Sequence, residues 1–448
     1  MENKPFGRFK RWQNRIQQEV RWLRPGLGVK RWLALIIIGT ILVAFGFAVL
    51  VLDLYRSAPE TWWVPVLSTL SLGFLSGPMR AIIFGGSGMA LILWGTWGMN
   101  RTLLRPFLHP GKPILDTVSS YRRKTRGPRI VAIGGGTGLA TVLRGLKEYT
   151  NNLTAIVTVA DDGGSSGELR RTIGILPPGD IRNCLTALSS DETLMTQIFK
   201  YRFASGAGLN GHTLGNLLIT ALTEITGSFE EAVAESGRVL AVQGQVLPST
   251  LHDVRLSAEI SLPDEGRQVI IKGESQIPKA AGEIKRVWLE PSNPLAFPPA
   301  IQAILAAEII VVGPGSLFTS ILPNLLVPDL AAALRASRAL KFYVGNIAMQ
   351  LGETEGFSCG DHAKTIERYT GGPIFDVLVC NSNFTLDQRD NLRFVMPEED
   401  LNDKYAAYMA DLVDVDNPWR HDSRKIAKVI MDLYYERTGP LLLKESDF

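Results

Sequence analysis

The chain has 448 residues, of which 46% are hydrophobic and 20% charged, and a net charge of only +3. That length suits two or three folding units, and that composition excludes a disordered or low-complexity protein. Its basic residues cluster only beside apolar segments, which points to a membrane-flanking role and excludes nucleic acid as the expected partner.

Residues 1–31 read as a basic cytoplasmic N-terminus, with nine Lys and Arg from Lys4 to Arg31 against Glu2 and Glu19. Trp32 to Leu52 is then an uncharged apolar run of 21 residues, enough to span a bilayer, and Ala81 to Gly98 is a second of 18. Residues 32–98 are therefore expected to anchor the chain in a lipid bilayer through two spans. Between the spans, Trp62 to Phe74 is apolar but short and carries Pro65. A basic linker follows at 99–128, with eight Lys and Arg from Arg101 to Arg129 against Asp116. Basic segments outside both spans place the N-terminus and everything after Arg101 in the cytoplasm. Neither run contains a charge, so an anchor is expected rather than an ion path.

From Arg129 the pattern changes. Short buried runs (Ile130–Ile133, Ala155–Val159, Ile309–Val312, Phe342–Val344, Val377–Val379) alternate with amphipathic helical stretches (Leu139–Tyr149, Ile181–Leu188, Leu194–Tyr201, Leu214–Thr226, Asp329–Ala336). Strands alternating with helices predict an α/β fold, a Rossmann-like doubly wound sheet, over 129–385. A β-rich insertion is expected at 237–291, with turns at Pro263–Gly266 and Pro278–Gly282. A tail at 386–448 carries one helix, Ser423 to Arg437. Cys184, Cys359 and Cys380 are few, odd in number and widely spaced, so free thiols in a reducing compartment are expected.

Five loops carry chemistry. The first, Gly134-Gly135-Gly136-Thr137-Gly138, ends a strand and opens a helix, presenting bare backbone N–H groups at a positive helix end. Counted as a dinucleotide fingerprint it has Leu139 where the third Gly belongs, so phosphate binding is the stronger reading and NAD the weaker. The second, Asp161-Asp162-Gly163-Gly164-Ser165-Ser166-Gly167, offers carboxylates to ribose hydroxyls or to Mg2+, or simply an Asx turn and a helix cap. In the third, Pro177-Pro178-Gly179-Asp180-Ile181-Arg182-Asn183, Asp180 suits an N-cap. Arg182 and Asn183 sit in the first helical turn, where a cation is unfavourable unless it meets an anion. The fourth, Gly211-His212-Thr213-Leu214-Gly215-Asn216, gives His212 as a phosphate donor, a general acid or a structural residue. The fifth, Gly313-Pro314-Gly315-Ser316-Leu317-Phe318-Thr319-Ser320, again joins strand to helix, with Ser316 as the expected N-cap. Two glycine loops after separate strands can face each other across a crevice, which suits a diphosphate.

As a set, G-G-G-T-G-L, V-A-D-D-G-G-S-S-G, P-P-G-D-I-R-N, G-H-T-L-G-N, G-P-G-S-L-F-T-S-I and Q-L-G-E-T resemble the YvcK family of gluconeogenesis-factor (UPF0052) proteins, part of the superfamily of CofD phospholactate transferases. The resemblance runs from about Arg129 to Asn381. It implies a Rossmann-like domain that binds a uridine nucleotide-sugar such as UDP-N-acetylglucosamine, with a role in carbon metabolism and cell shape and no established reaction. It further implies that the two spans are an anchor added to a domain that soluble members carry alone. Carried over by position, Gly135, Gly136, Thr137 and Gly138 match the phosphate loop, and Asp161 and Asp162 the acidic loop. His212 and Asn216 match the fourth loop, and Gly313, Gly315 and Ser316 the last. Asn346-Ile347-Ala348-Met349-Gln350 departs from the family's N-x-M-T-Q run. The alternatives are a CofD-like transferase, with Mg2+ on Asp161 and Asp162 and His212 assisting, and an NAD(P)-dependent oxidoreductase. A homo-oligomer is left open.

Overall fold

The chain divides into two units, residues 1–120 and 121–448. A computed structural model describes residues 29–54, 72, 74–104, 124–189, 194–262, 267–280, 282–384, 393–398 and 400–438. Most of the basic N-terminus, most of the apolar 62–74 segment, linker residues 105–123, the 263–266 turn and the last ten residues lie outside them.

In the first unit, α1 (Val29–Leu54) and α2 (Gly77–Leu104) pack side by side. Both are long and apolar enough to cross a membrane. The second begins four residues before the predicted run. The pair meets at glycines: a Cβ on Gly39 would lie 2.7 Å from the Gly88 carbonyl oxygen, and one on Gly95 2.8 Å from Ile36. Small residues let two helix backbones approach this closely.

In the second unit the strands are β1 (Ile130–Gly134), β2 (Leu153–Val157), β3 (Gln245–Pro248), β4 (Arg255–Ser261), β5 (Gln268–Lys272), β6 (Glu283–Glu290), β7 (Ile309–Val312), β8 (Leu340–Val344), β9 (Val377–Asn381) and β10 (Ala407–Ala410). The helices are α3 (Gly136–Leu146), α4 (Gly164–Ile173), α5 (Gly179–Leu188), α6 (Leu194–Lys200), α7 (Leu214–Thr226), α8 (Phe229–Val239), α9 (Pro298–Ala306), α10 (Pro328–Ala336), α11 (Cys359–Thr370) and α12 (Ser423–Thr438), with single turns between them.

Seven strands form one parallel sheet in the order β10-β9-β8-β7-β1-β2-β3. The chain winds outward one way from β1 through β2 to β3, then returns to β7 on the other side of β1 and winds the opposite way. The sheet thus reverses direction between β1 and β7, and ligands of open α/β sheets bind outside the carboxyl ends of the strands at such a point. Strands β1, β2, β7 and β9 are buried along their whole length, as strands covered by helices on both faces must be.

The Rossmann-like expectation holds, with three corrections. Residues 245–248 of the expected insertion are strand β3 of the main sheet; only β5-β4-β6 form the separate antiparallel sheet. Periodicity reads a short strand but not its partner. The tail is not a helical appendage, because β10 pairs with β9 and α12 packs on α3. A Cβ on Gly145 would overlap the Ser423 carbonyl oxygen, so α12 sits on α3 at backbone distance. Finally, Cys359 and Cys380 are not free thiols. They form a disulfide between the start of α11 and β9, bringing together residues 21 apart in sequence. Cys184 is free and buried as expected.

Candidate binding pocket at the switch point

Strand β1 stops at Gly134 and α3 starts at Gly136, whose φ of +63° is left-handed and suits glycine. This tight exit turns the α3 N-terminus toward the top of the sheet. After β7 the chain makes the second glycine loop, with Gly313 (φ +80°) and Gly315 (φ +157°) both in glycine-favoured conformations. The two loops touch: a Cβ on Gly138 would overlap the Pro314 carbonyl oxygen, and one on Gly315 would lie 3.7 Å from the Gly135 carbonyl oxygen. Asn346, after β8, locks the second loop with a reciprocal pair, its Oδ1 accepting from Gly315 N at 3.0 Å and its Nδ2 donating to Gly315 O at 2.9 Å. Gln350 Nε2 donates to Ser316 Oγ at 2.7 Å. Ser316 precedes the Leu317–Ile321 turn as predicted, but its side chain makes no cap bond and is held by Gln350 instead. The altered 346–350 run therefore supplies both clamps on this loop.

A cavity of about 710 Å³ opens over these loops. Gly135, Gly136, Thr137 and Gly138 line it from one side, Gly315 and Ser316 from the other, with Asp161, Asp180 and Asn183 between. Ligand pockets fall in this size range. A smaller cavity, about 440 Å³, lies at the opposite end of β1 and β2, beside Arg129 and Asn152, and holds none of the glycine loops.

The acidic residues in and beside the pocket are each held differently. Asp161 Oδ1 accepts from Gly163 N at 2.8 Å, and burial pushes its pKa up. Asp180 does not cap α5, as Pro178 occupies that position. It lies in the first turn, half-buried at the cavity wall, and its carboxylate accepts the Gly136 N–H; burial and the neighbouring Asp161 push its pKa up to about 6. Asp162 does not line the cavity: its Oδ1 accepts from Ser275 N at 2.9 Å. Asp161 and Asp162 thus face different partners and form no preformed chelate. Among the described residues no group of three or more His, Cys, Asp or Glu side chains could hold a metal ion.

The fourth loop is elsewhere. Helix α4 begins at Gly164 after Gly163 as N-cap, so Ser165 is helical. Asn216 Nδ2 donates to Ser165 Oγ at 3.0 Å, and Ser165 Oγ meets His212 Nδ1 at 2.9 Å. His212 Nε2 lies 3.2 Å from Glu168. Ser165 Oγ thus bridges Asn216 and His212, and the Nε2 side of the ring faces Glu168. Arg182 continues the network, donating to Thr213 Oγ1, to Asn216 Oδ1 at 3.0 Å and to Asn183 Oδ1 at 2.7 Å. The cation in the first turn of α5 is held by these side-chain oxygens. Of this network, Asn183 alone lines the cavity. His212, Asn216, Arg182 and Ser165 fasten α4, α5 and α7 behind the acid loop.

Sequence reasoning missed the tail. Trp419, Arg420 and His421 line the cavity beside Arg144. His421 is half-buried and donates from Nε2 to Gly345 O at 3.0 Å; burial lowers its pKa to about 4, so it is neutral. The W-R-H-D run has no glycine or strand signal. Only the packing of α12 on α3 brings it over the loops.

Residues 130–431 match the family model described as 2-phospho-L-lactate transferase CofD. The gluconeogenesis factor of Halalkalibacterium halodurans is 42% identical over 314 residues, 68% of this chain and 95% of its own length. The chain belongs to the gluconeogenesis-factor (UPF0052) branch of the CofD family. A relative of the same branch in Nostoc sp. is 44% identical over 445 residues, 95% of this chain and 94% of its own. Relatives thus match either nearly the whole chain or about two thirds of it. The crystal structure of a UPF0052 protein from Bacillus halodurans superposes with a TM-score of 0.64 at 41% identity, covering 68% of this chain and 99% of that one.

Proposed function

We propose that this family member is a ligand-binding regulator of carbon metabolism, anchored to the membrane by α1 and α2 with residues 121–448 in the cytoplasm, and that its pocket takes a nucleotide-sugar of the UDP-N-acetylglucosamine type. The observation that carries this reading is the contact between two glycine loops, one from β1 and one from β7, across the point where the sheet reverses. Backbone N–H groups from both loops and the N-terminus of α3 favour an anion between them, and Arg144 and Arg420 add charge to the lining. The relatives' name, gluconeogenesis factor, supports the metabolic role. A ligand that is also a cell-wall precursor would tie the same pocket to cell shape.

Binding without turnover is supported by how the reactive side chains in the lining are engaged: Ser316 accepts from Gln350, and His421 is pinned to a backbone carbonyl. The second reading, a metal-dependent transfer of a phospholactyl group, draws on the family model's description and on the carboxylates Asp161 and Asp180 facing the cavity. Calorimetry on the full chain in detergent, with UDP-N-acetylglucosamine and with NADH as control, tests the first. Saturable heat with the nucleotide-sugar alone is expected. Absence of heat and of any thermal shift at millimolar ligand rejects it. Phospholactyl transfer to a deazaflavin acceptor in the presence of Mg2+ would favour the second.

A further inference from the structure

The Cys359–Cys380 disulfide sits behind one wall of the pocket. Cys359 opens α11 and Cys380 stands in β9, and the two are only 1% and 2% exposed. Gly345, which follows β8, packs against this pair. A Cβ there would lie 2.9 Å from Cys359 Sγ and 3.6 Å from Val379 O, and its own N–H donates to Val379 O at 3.0 Å. Gly345 O accepts from His421 Nε2, and the next residue, Asn346, clamps the second glycine loop at Gly315. Two contacts that shape the pocket therefore depend on the backbone that rests on the disulfide.

A second route runs through residues 393–398. Cys359 N donates to Met396 O at 3.0 Å. In the same strip Val395 N donates to Ile347 O, and Met349 N donates to Arg393 O, both at 2.8 Å. Ile347 and Met349 line the cavity. The start of α11 thus holds the strip that holds the 346–350 run. That start is fixed in turn by the Ser358–Asp361 capping box and by Ser358 Oγ donating to Glu398 Oε1 at 2.8 Å. Two thiols need more room than two bonded sulfurs, and a close-packed interior has little to spare. Opening the bond must displace Gly345, the α11 start, or both.

We propose that Cys359 and Cys380 form a redox switch that sets the affinity of the pocket, tight while the disulfide is closed and weaker once a dithiol reductant has opened it. With residues 121–448 in the cytoplasm, as proposed above, the bond sits in a reducing compartment, where disulfides serve mostly as transient or sensing bonds. One sulfur of the reductant attacks one sulfur of the pair and the S–S bond breaks. The second sulfur of the reductant resolves the mixed disulfide, and the reductant leaves oxidised. Two electrons and two protons pass to Cys359 and Cys380, which end as thiols. Closure is the reverse, with a disulfide as oxidant. Because both sulfurs are buried, attack requires the α11 start to open, the same movement that frees the 393–398 strip.

The full chain in detergent, equilibrated with oxidised or reduced dithiothreitol, tests the switch. Alkylation after denaturation should find one thiol, Cys184, in the oxidised protein and three in the reduced one. Hydrogen exchange at residues 313–316 and 345–350 should speed up on reduction while β1 and β2 stay protected. UDP-N-acetylglucosamine should bind about tenfold more weakly to the reduced protein. By linkage, saturating nucleotide-sugar should then lower the reduction potential of the pair by about 30 mV. Cys380→Ser should match the reduced protein and ignore the reductant, and Cys184→Ala should keep the full response. Three thiols under oxidising conditions, one thiol after reduction of the folded protein, or exchange and affinity equal in both states would each overturn the switch. Exchange that responds while neither state binds the nucleotide-sugar supports the switch and overturns the nucleotide-sugar reading alone. Should Cys380→Ser fail to fold, the wild-type comparison decides by itself.

Discussion

Gly138, on the first turn of α3, and Pro314, in the loop after β7, meet backbone to backbone, with no room for a Cβ between them. This contact joins the two halves of the doubly wound sheet. Gly138→Ala should force the loops apart, costing about 1–3 kcal/mol in stability and most of the ligand affinity. Gly136→Ala is the comparison. Its Cβ would meet nothing nearer than Ser320 Oγ at 3.8 Å, so it should cost only the about 1–2 kcal/mol of the left-handed conformation. Equal melting temperatures and equal affinities for wild type and Gly138→Ala would count against the paired-loop site.

Ser165 ties α4 to α7 and to the loop before it through one hydroxyl. Ser165→Ala strands Asn216 Nδ2 and His212 Nδ1 in a buried setting, and should cost about 1–3 kcal/mol. His212→Gln should cost less, because one side of the network stays paired. If His212 worked on the ligand instead, its replacement would change affinity far more than stability. Denaturant unfolding beside calorimetry reads the two effects separately.

Arg420 reaches the pocket from the tail, 276 residues after Arg144 in the same lining. Arg420→Ala should weaken nucleotide-sugar binding by about 1.5–3 kcal/mol, as expected for a hydrogen bond to a charged group, and Arg420→Lys should restore part of it. The effect should shrink at high salt. Affinity unchanged in 0.5 M salt and in Arg420→Ala would remove the tail from the site.

Asp180 and Glu274 have folded-state pKa values of about 6 and about 8, above the ordinary 3.8 and 4.5. Each binds its proton more tightly folded than unfolded, so stability must fall as pH rises from the unfolded value through the folded one. The ligand-free protein should therefore melt lower at pH 8.5 than at pH 5. Glu274→Gln should flatten that slope between pH 5 and 8, and Asp180→Asn between pH 4 and 6, with differences of about 2 °C or more. A melting temperature that climbs over this range in wild type would contradict the burial of these acids.

The glycine seam of α1 and α2 makes a prediction about location. The full chain should stay with the membrane pellet after alkaline carbonate washing. A chain lacking residues 1–120 should be released yet bind ligand with the same affinity. Gly88→Leu, which would drive a side chain into Val43 and the Gly39 carbonyl, should weaken the helix pair and leave the pocket untouched. Full-length protein in the wash supernatant would overturn the anchor.

Much of the fold was legible because its signals are local. A strand such as β7, buried on both faces, is a continuous apolar run, and a glycine loop between such a run and a helical stretch marks by itself a tight exit that opens a helix. Ile309–Val312 and Leu214–Thr226 agree with their sequence ranges to the residue. Asp180 was placed in the right loop with the wrong task, since an acid near a helix start resembles a cap whether it bonds its own helix or the Gly136 N–H.

What composition and pattern settled here is the class of chemistry: bare amides at helix starts, two apolar runs long enough for a bilayer, and an alternation that can only fold as a layered sheet. What they left undecided is who stands next to whom. Glu274, Arg420 and the Cys359–Cys380 pair have no periodic or motif signal, because their roles come from contacts across long stretches of chain. His212 and Asn216 carry a motif signal but fall outside the pocket for the same reason. Periodicity reports how each segment buries itself, and only the three-dimensional packing of those segments decides which side chains share a cavity.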